Sequence, residues 1–277
     1  MRISHLCILA VLVVSACAHH TREDALSSGD KYVAMGSSFA AGPGITESAD
    51  DPPHRCGRSQ DNYPHQLARR LGLSLIDVSC SGATTAHILG AWNELPPQID
   101  AVDADTRLVT ITIGGNDLGY IGGLIGMSCA RVTDGARCPP VSAPSEQDYR
   151  DVEAHMTEVA AEVRARAPEA RLVFVDYPTV LPEMGVCELT PLSEEEADAA
   201  RDIAYRLEEI TARVAAAAGA DLVRASALSR AHDACADDAW MIGFPPTLAE
   251  NPTLAPYHPN LDGMTATADA LEQLLTS

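Results

Sequence analysis

Glycine-rich and polar turns follow three predicted strands of this chain, and their residue types suit acyl transfer. The apolar run Tyr32 to Met35 ends at Gly36-Ser37-Ser38, a second run leads into Ser81-Gly82, and the strand Leu108 to Ile113 ends at Gly115-Asn116-Asp117. Acyl transfer requires a nucleophilic hydroxyl, a base that takes its proton, and hydrogen-bond donors that face the developing oxyanion. A serine, exposed backbone N–H groups and an asparagine amide supply the nucleophile and the donors. The alternative is that Ser37 or Ser38 only caps the following helix.

The base that this chemistry needs is sought among nine histidines. His65, His87 and His155 lie in predicted helices, where a partly exposed or core histidine is the ordinary interpretation. His258 instead stands in Pro256-Tyr257-His258-Pro259-Asn260, an irregular segment just before the last predicted helix. A loop at the edge of a sheet can carry this side chain back to the strand ends, so His258 is the candidate general base.

The elements that position these turns alternate between strand and helix along the chain. Further strands are predicted from Leu73 to Val78, from Leu172 to Val175 and at Leu222-Val223. Helices are predicted from Asp61 to Leu71, from Ser145 to Ala167, after the capping box Ser193-Glu194-Glu195-Glu196, and from Met264 to Leu275. This alternation predicts a three-layer α/β/α domain with a five-stranded parallel sheet, whose strand carboxyl ends meet at one crevice.

Length and charge bound the class of protein. The 277 residues are 46% apolar, enough for one sizeable core, and residues 30–277 are predicted to form one domain without a linker or repeat. The formal net charge is −20, from 19 basic and 39 acidic residues. Such an acidic surface argues against nucleic acid and anionic membrane surfaces as electrostatic partners.

Residues 1–16 have the pattern of an export signal. Arg2 precedes an apolar run from Leu6 to Val14 that is too short to cross a bilayer. Val14-Ser15-Ala16-Cys17 then matches the bacterial lipobox, which predicts lipidation of Cys17 and a tether over residues 17–29. The alternative is an ordinary signal peptide with Cys17 incidental. Both predict an exported protein, and the lipid would be its sole attachment to a membrane.

Six cysteines remain in the predicted mature domain after the signal and the lipidation site are set aside. An even number in an exported chain indicates disulfides, and six cysteines allow 15 connectivities among which sequence cannot choose. No cysteine or histidine cluster has zinc spacing, so no metal is expected. The six are Cys56, Cys80, Cys129, Cys138, Cys187 and Cys235.

Four sequence blocks resemble those of the SGNH (GDSL-like) hydrolase family. They are Gly36-Ser37-Ser38 near the start, Gly82 in the second turn, Gly115-Asn116-Asp117 after the third strand, and His258 near the end. Cys80-Ser81-Gly82-Ala83-Thr84-Thr85 and the six cysteines are similar to the secreted actinobacterial lipase and esterase branch. The resemblance covers essentially all of residues 30–277. It implies a flavodoxin-like sheet, hydrolysis without a metal or cofactor, and sequential disulfides Cys56–Cys80, Cys129–Cys138 and Cys187–Cys235.

The resemblance also implies a role for each matching residue. Ser38 corresponds to the nucleophile, and its own N–H would join the N–H of Gly82 and the side chain of Asn116 in an oxyanion hole. His258 corresponds to the general base, which later protonates the leaving alcohol. The serine context, Gly-Ser-Ser-Phe-Ala, lacks the Gly-x-Ser-x-Gly elbow of α/β-hydrolases.

Two positions depart from the family pattern. Ser37 stands where the family usually has an aspartate before the nucleophile, and Ala255 stands where it usually has an aspartate three residues before the histidine. Without that carboxylate, the second N–H of His258 needs another acceptor, and a backbone carbonyl around Ala255 would give a Ser-His dyad. Loss of an orienting carboxylate lowers the rate by orders of magnitude in triad proteases.

The sequence therefore predicts an exported serine esterase or lipase that acts on acyl esters, without a nucleic-acid partner and as a monomer. The apolar segment Leu118 to Met127 is expected to be a loop that forms part of the acyl pocket, with ordinary surface packing as the alternative. A carbohydrate O-deacetylase is the other enzyme considered, although 4% aromatic residues offer few platforms for sugars. A non-catalytic envelope lipoprotein that binds a ligand is the alternative from another class, motivated by Ser37 and Ala255.

Overall fold

The structure, a computed structural model, describes residues 25–133, 137–244 and 255–277. The predicted signal segment, the lipidation site Cys17 and residues 17–24 of the tether lie outside the described residues. Within these ranges, no helix combines the length and the apolarity needed to cross a bilayer.

Five strands form one parallel sheet: β1 (Lys31–Gly36), β2 (Ser74–Asp77), β3 (Thr106–Thr112), β4 (Arg171–Val175) and β5 (Asp221–Val223). Their spatial order is β2-β1-β3-β4-β5, and each neighbouring pair is parallel. This is the flavodoxin-like order, so the predicted fold class is confirmed. The order reverses between β1 and β3, which is where open α/β sheets leave a crevice beyond the strand carboxyl ends.

Helices cover both faces of the sheet. Strand residues alternate, so Val33 and Met35 of β1 face one core while Tyr32 and Ala34 face the other. In the described ranges the helices are α1 (Ser38–Ala41), α2 (Tyr63–Leu71), α3 (Thr85–Leu89), α4 (Tyr120–Val132), α5 (Glu146–Arg166), α6 (Glu194–Ala217), α7 (Ala225–Leu228) and α8 (Leu261–Thr276), with a short 3₁₀ turn at Gln98–Ala101. The first core is closed mainly by α3, α4, α5 and α6, and the second by α2 and α8.

Side-chain caps set the starts of the long helices. Ser145 and Ser193 form capping boxes that open α5 and α6. The sequence predicts both helix starts, but a capping box only at Ser193. The last helix begins at Leu261, earlier than the predicted Met264, because the side chain of Asn260 accepts a hydrogen bond from the N–H of Gly263.

The prediction that Leu118 to Met127 is an irregular loop is wrong, because α4 occupies most of it. The glycines lower helix propensity, but burial of Ile121 and Leu124 in the core offsets this cost. Gly126 is needed for packing: a Cβ there would lie 2.7 Å from the carbonyl oxygen of Pro139. Most of the segment is therefore a core helix, and its part in an acyl pocket stays a prediction.

Three disulfides join Cys56 to Cys80, Cys129 to Cys138 and Cys187 to Cys235. These are the pairs that the family resemblance implies. The first closes a separation of 24 residues and fastens the loop before α2 to the turn after β2. In that turn the N–H of Cys80 also donates to the carbonyl of Gly36 at 3.0 Å. The disulfide thus lies beside the carboxyl end of β1.

Candidate active site

The turn after β1 is held tightly against β3. The N–H of Ser37 donates to the carbonyl of Thr112 at 2.9 Å, and the amide of Gln98 makes two hydrogen bonds to the backbone of Gly36, at 2.7 and 3.0 Å. Gly36 has a φ of +136°, and a Cβ there would lie 2.3 Å from the oxygen of Thr112. Glycine is therefore required at this turn, which presents Ser38 as the first residue of α1.

Ser38 and His258 meet at this edge of the sheet. The hydroxyl oxygen of Ser38 lies 2.7 Å from Nε2 of His258, although the two residues are 220 positions apart. Both are buried, with exposed fractions of 7% and 8%. The other histidines considered lie in helices as predicted: His65 in α2, His87 in α3 and His155 in α5. Of the residues that the sequence singled out, the structure thus brings a hydroxyl and a base within hydrogen-bond distance.

A backbone carbonyl, and not a carboxylate, faces the second ring nitrogen of His258. Nδ1 of His258 lies 2.8 Å from the carbonyl oxygen of Pro256, so Nδ1 carries the proton and donates it there. The lone pair of Nε2 is then left facing the Ser38 hydroxyl. The sequence predicts such a carbonyl around Ala255, and the acceptor is the carbonyl of the next residue, Pro256.

The left-handed backbone of Tyr257 shapes the turn that carries His258. Its φ is +61°, which a bulky residue adopts only when the surroundings fix it. The N–H of Tyr257 donates to the carbonyl of Ile242 at 2.7 Å, and its hydroxyl lies 2.5 Å from that of Ser128 in α4. The N–H of Ile242 in turn donates to the carbonyl of His258 at 2.8 Å. These bonds hold the imidazole in place.

Burial lowers the pKa of His258 to about 4, because the charged imidazolium loses its hydration inside the protein. The hydrogen bond to the Pro256 carbonyl raises the pKa, but by less than burial lowers it. His258 is therefore neutral at pH 7. A neutral imidazole with its lone pair towards a hydroxyl is the protonation state that a general base requires.

The turns after β2 and β3 are joined to each other at the edge of the sheet that carries Ser38. The side-chain amide of Asn116 donates to the carbonyl of Ala83 at 2.8 Å, next to Gly82. The carboxylate of Asp117 accepts two hydrogen bonds from the N–H of Thr85 and one from its hydroxyl. These contacts bring Asn116 and Gly82 to one place, as the sequence predicts for turns at neighbouring strand ends.

Two backbone donors and one side-chain donor remain available there. In the described part of the chain, the N–H groups of Ser38 and Gly82 donate no hydrogen bond. Asn116 uses one of its two amide hydrogens on Ala83, which leaves the second. Gly82 has a φ of +86°, and a Cβ there would approach the ring of Trp92 to 3.1 Å. Over the described residues, no group of three or more metal-ligating side chains is found.

Tyr177 is a residue of this site that the sequence analysis missed. It follows β4, and its hydroxyl lies 2.9 Å from that of Ser37 and accepts a hydrogen bond from the N–H of Gly115 at 3.1 Å. Burial raises its pKa to about 12, so the phenol keeps its proton at neutral pH. Its position at a strand end was the available signal, but a lone tyrosine between Asp176 and Pro178 matches no catalytic motif.

Comparison with known proteins agrees with this architecture. The sequence model of the GDSL-like Lipase/Acylhydrolase family matches residues 34–266, and the chain belongs to that family. Among its relatives, Lipase 2 of Streptomyces coelicolor is 35% identical over 265 residues, which is 92% of this chain and 88% of the relative.

Two solved structures are similar to this one along most of both chains. The extracellular lipase of Streptomyces rimosus is 27% identical, with a TM-score of 0.71, and the match covers 88% of this chain and 99% of that one. Phospholipase A1 of Streptomyces albidoflavus NA297 is 26% identical, with a TM-score of 0.69 and coverage of 89% and 99%.

Proposed function

We propose that this protein is an exported serine esterase or lipase that hydrolyses carboxylic esters through a Ser38–His258 dyad. The observation that carries the proposal is the 2.7 Å contact between the Ser38 hydroxyl and Nε2 of His258, with Nδ1 donating to a carbonyl. The family and its members that are named lipase and esterase support the same class of reaction. No metal or cofactor is needed for it.

The reaction follows from the tautomer of His258, whose Nδ1 carries the proton while Nε2 faces Ser38. Nε2 takes the proton of the Ser38 hydroxyl as its oxygen attacks the ester carbonyl, and the resulting imidazolium protonates the leaving alcohol. His258 then activates water, which releases the acid and restores Ser38. The free N–H groups of Ser38 and Gly82 and the second amide hydrogen of Asn116 are proposed to bind the oxyanion.

The carbonyl of Pro256 sets the tautomer of His258 as a carboxylate does, but it carries no full negative charge. The imidazolium that forms during the reaction is therefore stabilised less than in a triad with an aspartate. We expect a slower chemical step than in family members that have the carboxylate. This difference follows from Ala255 and does not require any change at Ser38.

Export is proposed from two observations. Three disulfides join all six cysteines of the proposed domain, a use of cysteine that is typical of oxidising compartments. One similar structure is described as an extracellular lipase. Lipidation of Cys17 stays a prediction from the lipobox pattern, as do the boundaries 1–16, 17–29 and 30–277.

The test is hydrolysis of p-nitrophenyl esters from acetyl to palmitoyl by the full chain and by Ser38→Ala. Ser74→Ala is the matched control, because Ser74 is an exposed serine at the opposite end of the sheet. We expect Ser38→Ala to lose about 10³-fold or more in kcat and Ser74→Ala to match the wild type.

The acyl preference distinguishes the enzyme classes. A maximum at acetyl with no activity on longer chains would favour an O-deacetylase, and activity on long chains would favour a lipase. Hydrolysis that persists in Ser38→Ala would refute the nucleophile. No hydrolysis of any ester by the folded, oxidised wild type would favour a binding protein that keeps the fold.

A further inference from the structure

The phenol of Tyr177 connects the two turns on which the proposed chemistry depends. Its oxygen lies 2.9 Å from the hydroxyl of Ser37, which precedes the nucleophile, and 3.1 Å from the N–H of Gly115, which precedes Asn116. Ser37 is fully buried and Tyr177 is 7% exposed. One buried oxygen atom thus contacts the turn after β1 and the turn after β3.

The donor and acceptor roles in these hydrogen bonds make the phenol oxygen hard to replace. The N–H of Gly115 can only donate, so it uses a lone pair of the phenol oxygen. The remaining lone pair and the phenol hydrogen are available for the hydroxyl of Ser37. Removal of that one oxygen leaves buried polar groups unpaired on both turns, which protein interiors avoid.

The ring of Tyr177 adds a second connection to the dyad. Its centroid lies 4.5 Å from that of Phe39, and the ring of Phe39 lies 5.0 Å from the imidazole of His258. Gly115 packs against the same ring so closely that a Cβ there would lie 2.7 Å from it. The ring therefore sets how closely the turn after β3 approaches the residues around Ser38.

We propose that Tyr177 is a positioning residue that fixes the distance between the nucleophile turn and the oxyanion-hole turn. This inference rests on the proposed esterase function. It also gives Ser37 a role, because its buried hydroxyl is connected through the tyrosine to the turn after β3. Tyr177 acts through Ser37 and Gly115, because its own hydroxyl is used on them.

The test compares Tyr177→Phe with Tyr32→Phe. Tyr32 is a matched control because it too is a buried tyrosine whose hydroxyl is hydrogen-bonded to another hydroxyl. Its partner is Thr110, at 2.7 Å, which lies within the sheet and away from the turns. Both variants lose one buried hydroxyl, so both are expected to lower Tm. Only Tyr177→Phe is expected to lower kcat, by about 10- to 100-fold, because small misplacements of reacting groups have effects of this size.

Three further readouts separate positioning from general stability. For Tyr177→Phe, KM should stay within about twofold of the wild-type value. The pH midpoint of the acid limb should stay within about 0.3 pH units, because His258 keeps its contacts. Ser37→Ala should lower kcat less in the Tyr177→Phe background than in the wild type, because the shared bond is already lost. If Tyr177→Phe does not fold, Ser37→Ala alone should still lower kcat in a folded protein.

A kcat for Tyr177→Phe within about threefold of the wild type would overturn the inference, as would an equal loss in Tyr32→Phe at an equal loss of Tm. Failure of the proposed function is recognised separately. In that case Ser38→Ala keeps the wild-type activity, or the folded wild type hydrolyses no ester, whatever Tyr177→Phe does.

Discussion

The acid limb of the pH–rate profile tests the environment of His258 directly. The base must be neutral to accept the proton of Ser38, and burial lowers the pKa of this imidazole to about 4. At pH 5 a histidine with that pKa is about 90% neutral, whereas one with the ordinary value of 6.5 is only about 3% neutral. We therefore expect kcat/KM to fall by no more than about a fifth between pH 7 and pH 5, and to halve near pH 4.

Stability and rate respond to acid through different groups. Since the folded pKa of His258 is lowered, the unfolded chain binds more protons between pH 6.5 and 4, and stability decreases as the pH falls through that window, by about 3 kcal/mol from this residue. Burial raises the pKa of Asp176 to about 6, so this carboxyl has the opposite effect between pH 6 and 4. The two effects largely cancel in Tm, so the rate profile is the informative measurement.

The assay follows kcat/KM for a short-chain ester from pH 3.5 to 8, with the released alcohol quantified by chromatography so that detection does not depend on pH. Circular dichroism at each pH and recovery of activity after return to pH 7 show that the enzyme stays folded. A midpoint near 6.5 in a folded enzyme would refute the argument that burial controls this base. A midpoint near 4 in the folded wild-type enzyme would support it.

Three other predictions concern Ala255, Asp176 and the Cys56–Cys80 disulfide. Ala255→Asp introduces a carboxylate near His258, whose N–H donates to the carbonyl of Ala255. It should shift the acid midpoint of kcat/KM upwards, because a nearby negative charge raises the pKa of the imidazole. Ala255→Asn is the uncharged control and should leave the midpoint near 4. Asp176→Asn removes a buried carboxyl whose pKa is raised to about 6, so Tm should rise at pH 8 relative to the wild type and not at pH 4. A lower Tm at pH 8 would contradict that sign. Replacement of Cys56 and Cys80 by serine should lower stability by about 3 kcal/mol in thermal or denaturant unfolding, since the bond closes 24 residues; an unchanged Tm would contradict it.

The elements that sequence predicts well are those in which local and tertiary signals agree. β3 is mostly β-branched and is followed closely by two glycines, and the capping box at Ser193 starts α6. The helix α4 was missed because glycines suppress the local signal, while its packing against the core is visible only in three dimensions. Local propensity could not predict that outcome.

The part of the candidate site that the sequence predicts consists of residues whose type and position both indicate catalysis. Ser38 and His258 stand at ends of elements that a parallel sheet brings together, so their contact follows from topology. Tyr177 and the Pro256 carbonyl were not predictable as individual groups. Tyrosines are common in cores, and every residue has a carbonyl, so only the fold shows which of them faces a turn or a ring nitrogen.

The two residues of the proposed dyad lie far apart in the sequence, and this separation determines when activity can appear during synthesis and refolding. Ser38 belongs to the first strand–helix unit, whereas His258 arrives 220 residues later, just before α8 packs against α2. Under the proposed mechanism, a partly synthesised chain that contains Ser38 but not yet His258 lacks the general base and cannot turn over an ester. Regain of hydrolysis during refolding therefore times the docking of the C-terminal segment, while circular dichroism times the formation of the sheet and helices.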